Sequence, residues 1–160
     1  MSFHVVPATY VLLRRTVRGG GEELLLQLRE GTGFMDGHWA AAAAGHVEAG
    51  ESVLDAAVRE AAEELGIGID PADLTPLCTM HRTAAPHGPV DERVDFFFEC
   101  RRWAGEPSIR EADRSADLRW FGIDALPAPV VPHEWQVMEA LHAGSLRPIT
   151  THGFDVAGTG

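Results

Sequence analysis

At 160 residues the chain has the length of one domain that buries roughly 70 % of the surface its unfolded form exposes. Its formal charge of −11 argues against non-specific binding to nucleic acid or to an anionic membrane, and a polyphosphate ligand would need positive help from a metal or clustered arginines. Two cysteines, Cys78 and Cys100, make no disulfide framework, and without a signal-peptide core or a membrane-length apolar run the protein is expected to be cytoplasmic.

Residues 4–17 are rich in Val, Leu and Thr and predict a strand, and 23–29 predict a second. The glycines at 19–21 turn the chain between them, so the pair makes a hairpin. In the second strand Leu24, Leu26 and Leu28 face one way and Leu25, Gln27 and Arg29 the other. Arg29 is either a surface residue or a phosphate contact. Residues 30–39 are a glycine-rich loop carrying Phe34, Met35 and Trp39, aromatic and apolar groups that either cover a base or sugar or anchor the loop. An alanine run, 40–44, leads into Gly45.

A helix follows. Ser52 is its expected N-cap with Asp55 three positions on, and Gly66 its left-handed stop. Leu54, Val58, Ala61 and Leu65 recur at helical spacing as an apolar stripe. Beyond a turn at 70–73, residues 74–83 predict a strand with His81 and Arg82 near its end. Residues 91–101 predict another, with Val94, Phe96, Phe98 and Cys100 on one face and Arg93, Asp95, Phe97 and Glu99 on the other. Residues 118–121 predict a short strand, and 127–132 break the chain. A last helix spans 133–143, with Trp135, Met138 and Leu141 on one face and Gly144 as stop. His133-Glu134 opens like a zinc-protease helix, but the residue four after His133 is Val137, so that motif fails. The expected domain is 1–149, with 150–160 as a flexible tail.

Glu60, Glu63 and Glu64 form the chemically unusual feature. They cluster at helical spacing in the last two turns, where the helix dipole disfavours acids and like charges repel. Arg59 offsets part of this. A hard divalent cation would offset the rest, because carboxylate oxygens suit magnesium or manganese; the alternative is a solvated acidic face.

Gly45, Glu51, Arg59, Glu60, Glu63, Glu64 and Gly66, with the aliphatic Ile67, match the signature of the Nudix hydrolases without a gap. The 23-residue stretch 45–67 therefore resembles that family, whose MutT-like members hydrolyse pyrophosphate bonds. Proline and glycines often precede the motif in the family, where this chain has alanines. The resemblance implies an α/β fold of the α+β type, a mixed sheet in an α/β/α sandwich. It implies magnesium, with manganese as a substitute, held by Glu60, Glu63, Glu64 and the Gly45 carbonyl, with Glu51 and Arg59 in support. The implied reaction is attack of water on phosphorus in a nucleoside diphosphate-linked or triphosphate substrate; the alternative is a non-catalytic nucleotide sensor. An isoprenoid diphosphate isomerase is a third reading and would need a cysteine in the site. For the base, Asp91, Glu92, Glu106 and Glu111 are candidates, and for substrate contacts Arg29, Phe34, Trp39 and Arg82. The expected partner is a small nucleotide-type molecule, neither nucleic acid polymer nor membrane. Family members are frequently homodimers.

Overall fold

The computed structural model describes residues 2–154. In chain order its elements are strands β1 (Val6–Thr16), β2 (Glu22–Arg29), β3 (Trp39–Ala41) and β4 (Ala43–His46), then helix α1 (Val53–Leu65). Strands β5 (Leu74–Arg82), β6 (Arg93–Cys100) and β7 (Ser115–Gly122), helix α2 (Pro132–Ala143) and strand β8 (Ile149–His152) complete it. The strands form one mixed eight-stranded sheet. β1 is its hub: it pairs antiparallel with β2 and β4 and parallel with β6. β2 pairs antiparallel with β3 and β7, while β5 runs antiparallel to β6 and parallel to β8.

Alternation along β6 separates two cores. Phe97 packs with Val137 and Met138 of α2, whereas Phe98 and Cys100 pack with Ala57, Ala61 and Leu65 of α1. Neighbouring residues of a strand point to opposite faces, so the helices cover opposite sides of the sheet. This is the α/β/α sandwich that the Nudix resemblance implies. Both cysteines are buried free thiols. Among the described residues no helix is long and apolar enough to cross a membrane.

Helix α1 is delimited locally. The Ser52 hydroxyl accepts the Asp55 N–H at 3.0 Å, and Gly66, at φ 69°, donates its N–H back to the Ala62 carbonyl. Its buried residues are Ala56, Ala57, Ala61 and Leu65, and Leu54 is 39 % exposed. The contact face is therefore turned from the expected stripe toward small residues, which let the helix lie close against β4 and β1.

Three further expectations are corrected. The alanine run is not a simple lead into the motif: it divides at Ala42 into β3, paired with β2, and β4, paired with β1. In α2 the buried residues are His133, Glu134, Val137 and Met138, whereas Trp135 is 39 % exposed. The polar pair takes the interior because it finds hydrogen-bond partners there, His133 with the Tyr10 hydroxyl and Glu134 with the Ala41 amide. Residues Thr150 to His152, expected in the tail, belong to β8. β5 supplies the backbone partners, and Gln136 Nε2 donates to Thr150 Oγ1 and the Thr151 carbonyl. Residues 155–160 of that tail lie outside the described residues.

Candidate active-site cleft

A cleft of about 610 Å³ opens between α1, the sheet and the start of α2. That volume suits a nucleotide-sized ligand. At its outer end the C-terminal half of α1 contributes Glu60, Glu63 and Glu64, and β4 contributes Gly45. Gly45 is where the chain comes closest: a Cβ at this position would collide with the Glu60 carboxylate. Only glycine leaves the backbone and that carboxylate side by side.

Arg59 organises this end. Its guanidinium donates to both oxygens of Glu51, at 2.6 and 3.0 Å, in a forked pair. It also donates to Glu60 Oε1 at 2.8 Å, to Glu63 Oε2 at 3.2 Å and to the His46 carbonyl at 3.1 Å. Glu51 in turn accepts the Glu48 N–H, and the Arg59 hydrogen bonds, then this amide, hold its acid down to about 2. The arginine thus ties the loop before α1 to two of the three clustered glutamates.

Those glutamates differ in their surroundings. Glu63 is about half exposed, at 53 % of its side chain. Burial raises the Glu60 acid against the opposing pull of Arg59. Glu64 accepts the Ala44 N–H at 2.7 Å, and burial, with added repulsion from Glu60 and Glu111, pushes its acid up to about 8. A carboxyl destabilised by burial and by like charge is what a nearby cation would relieve. Among the described residues no three acidic, histidine or cysteine side chains already stand in a metal-holding arrangement. Arg59 engages Glu60 and Glu63, and the Ala44 amide engages Glu64. The donor set itself is all oxygen and fits magnesium or manganese.

Of the four candidate bases, Glu111 alone lines the cleft. Asp91 caps the turn at Gly88, Glu92 bonds the His81 ring at 3.0 Å, and Glu106 is exposed on a loop. Of the four expected substrate contacts, Arg29, Phe34 and Arg82 line it. Arg29 also braces its own loop, donating to the Phe34 carbonyl and to Thr32 Oγ1. Trp39 does not line the cleft. Its place in β3 turns the indole into the α2-side core, edge-on to Phe121 at 4.8 Å.

The inner end of the cleft holds residues that sequence reasoning missed. Tyr10, Gln27, His133 and Glu134 meet there over a floor of alanines, including Ala8, Ala40 and Ala41. His133 Nε2 lies 3.1 Å from the Tyr10 hydroxyl, and burial keeps its ring neutral by holding its pKa well below the usual value. Behind them the buried Asp95 accepts from Arg82 Nε at 2.5 Å, with Arg82 Nη2 3.5 Å from the Tyr10 hydroxyl. Burial pushes the Glu134 acid up to about 7. The available signal was the spacing His133–Val137 and Glu134–Met138, which puts both polar residues on the apolar face of α2.

The NUDIX domain profile matches residues 6–141. The NAD-capped RNA hydrolase NudC of Pseudomonas aeruginosa is 28 % identical over 148 residues, covering 89 % of this chain and 47 % of that protein. Isopentenyl-diphosphate Delta-isomerase of Escherichia coli is 32 % identical over 114 residues, covering 67 % of this chain and 60 % of the isomerase. The chain thus spans about half to three-fifths of these curated relatives. Among solved structures, a MutT NUDIX hydrolase from Burkholderia pseudomallei superposes with a TM-score of 0.72 at 29 % identity, covering 85 % of this chain and 97 % of its own.

Proposed function

This chain belongs to the Nudix family, and from that premise we propose that it is a metal-dependent pyrophosphohydrolase acting on a nucleoside triphosphate or a nucleoside diphosphate-linked substrate. The observation that carries the reading is the meeting of Glu60, Glu64 and Gly45 on one wall of a nucleotide-sized cleft. The same cleft is lined by Arg29, Arg82, Arg93 and Arg114, cationic side chains available to phosphates in an otherwise acidic protein.

Glu60, Glu63, Glu64 and the Gly45 carbonyl would hold the cation. When bound, magnesium neutralises charge on the phosphate oxygens and lowers the pKa of a coordinated water. Arg59 keeps Glu60 and Glu63 aimed inward, and Glu51 keeps Arg59 in place. Arginines lining the cleft orient the phosphates for in-line attack. Glu111 accepts the proton of the attacking water, because it alone of the four candidate bases lines the cleft. The products are a nucleoside monophosphate with either pyrophosphate or the phosphorylated remainder.

The likeness to an isoprenoid diphosphate isomerase does not extend to its chemistry. That reading needs a thiol in the site, and neither Cys78 nor Cys100, each buried in a core, lines the cleft.

The test is a panel of nucleoside triphosphates and diphosphate-linked nucleotides, with and without magnesium, with products resolved by phosphorus NMR. Magnesium-dependent release of a monophosphate supports the hydrolase. Tight nucleotide binding without turnover on any member would replace it by a sensor module.

A further inference from the structure

We propose that the inner end of the cleft seats a nucleobase bearing an amino group beside a ring nitrogen, and that Glu134 is the residue that reads this edge. The inference rests on the nucleotide hydrolase reading above and names its substrate class.

Glu134 is only 3 % exposed, yet it lines the cleft. One oxygen, Oε1, accepts the Ala41 N–H at 2.8 Å. Among the described residues that amide is the only hydrogen-bond partner of the carboxyl, and no basic group stands within ion-pair distance of it. A clamp between α2 and β3 accounts for Oε1 and for nothing else; a glutamine would make the same contact without burying an acid. Among the described residues its other oxygen has no protein partner and is not sealed from the cleft, where a ligand with N–H donors would engage it.

The surrounding groups narrow the ligand. Tyr10 of β1 and the neutral His133 of α2 engage each other, and Arg82 of β5 is engaged by Asp95 of β6. Arg29 of β2 acts on Glu134 only at longer range. Gln27 adds a side-chain amide whose nitrogen donates to the Ala41 carbonyl at 3.1 Å, which leaves its oxygen as a second acceptor. This end of the cleft therefore offers acceptors to a flat, donor-bearing ligand. Cytosine, adenine and guanine carry an amino group adjacent to a ring nitrogen. Uracil keeps its N3–H and hypoxanthine its N1–H, but each sets a carbonyl oxygen or a bare carbon in place of the amino group, so the Glu134 and Gln27 oxygens meet fewer N–H donors.

The alanine floor sets the scale. Ala41 holds Glu134 and Ala44 holds Glu64, so the two amides are at most about 10 Å apart along the chain. That is the reach of a sugar between a base and its phosphates. Ala8, Ala40 and Ala41 line this end of the cleft with small residues. Phe34, 47 % exposed on the loop before β3, lines the same cleft and offers a ring to stack on a base.

The experiment compares matched pairs that differ by the amino group: CTP with UTP, and GTP with ITP. The readout is the ratio of kcat/KM within each pair, together with the ratio of Kd measured by calorimetry in calcium. The amino-bearing member is expected to lead by about tenfold or more in both pairs, since a site built to bond a polar group rejects the analogue that lacks it. Glu134→Gln retains the Ala41 contact and presents an amide nitrogen in place of the second oxygen, so the CTP to UTP ratio should collapse toward one. Ratios near one in the native protein overturn the inference while leaving the hydrolase intact. A uniform loss on all four substrates in the variant, with ratios unchanged, reduces Glu134 to a structural clamp and also overturns it. No turnover with the Kd ratios preserved defeats the hydrolase and keeps the base site. If the variant loses its thermal unfolding transition, the native ratios decide alone.

Discussion

Glu64 and Glu134 invite comparison because their backbones treat them alike. Glu134 is buried and Glu64 partly so, each accepts one amide from the alanine segment, and burial pushes each acid up, to about 7 and about 8. Their neighbours differ. Glu64 is surrounded by Glu60 and Glu111, whose like charges add to its burial, with Arg59 and Arg114 nearby. Glu134 stands among Tyr10, His133 and a pre-paired Arg82. Clustered carboxyls ask for a cation, whereas a carboxyl whose charged neighbours Arg82 and Asp95 are paired with each other asks for N–H donors. The same side-chain chemistry is thus assigned two tasks by what stands beside it.

The comparison breaks most visibly at Glu64. Glu64→Gln should lower magnesium-dependent kcat/KM by at least about 100-fold, by the loss of one ligand charge. Metal-free thermal stability should hold or rise, because the replacement removes a repelled, buried acid. Turnover within threefold of native would take Glu64 out of the metal set.

At Glu134 the larger effect is on stability. Its acid is raised from about 4.5 to about 7, so its contribution is fully present below pH 4.5 and lost as pH rises through 7. Glu134→Gln does not titrate. Its stability relative to the native protein should therefore grow between pH 4.5 and pH 8, by up to about 3 kcal/mol. Urea unfolding of both proteins at the two pH values measures this difference. A constant difference across the range would mean that the native carboxyl ionises without penalty.

The helices that carry the two acids sharpen the contrast. α1 has a serine cap, whereas α2 begins at Val131 with no side-chain cap and leans on Pro132. Ser52→Ala should cost about 1 kcal/mol, read as a lower urea midpoint at unchanged slope. Activity per folded molecule should stay the same, since the cap lies at the end of α1 away from Glu64.

What was legible follows from this difference. α1 could be delimited from the chain because Ser52, Asp55 and Gly66 act within a few residues of one another. Its glutamates could be grouped because three- and four-residue spacing fixes a helix face. α2 was legible as a helix but not in orientation. Trp135 looks like the anchor, but the interior took His133 and Glu134, whose partners lie 123 and 93 positions away. No local pattern marks such partners. Trp39 misled for the same reason: its loop suggested a ligand contact, and pairing with β2 sent it into a core.

The sequence by itself determined the family, the sandwich of helices on a mixed sheet and the acidic face of α1, because these depend on short-range spacing and hydrophobic period. Only the tertiary structure decided which of four distant acids reaches the cleft, that residues 149–152 form a strand, and that a second buried carboxyl shares the alanine segment with the first. Those outcomes depend on strand pairing and on which buried polar group finds a partner, and both are properties of the assembled sheet.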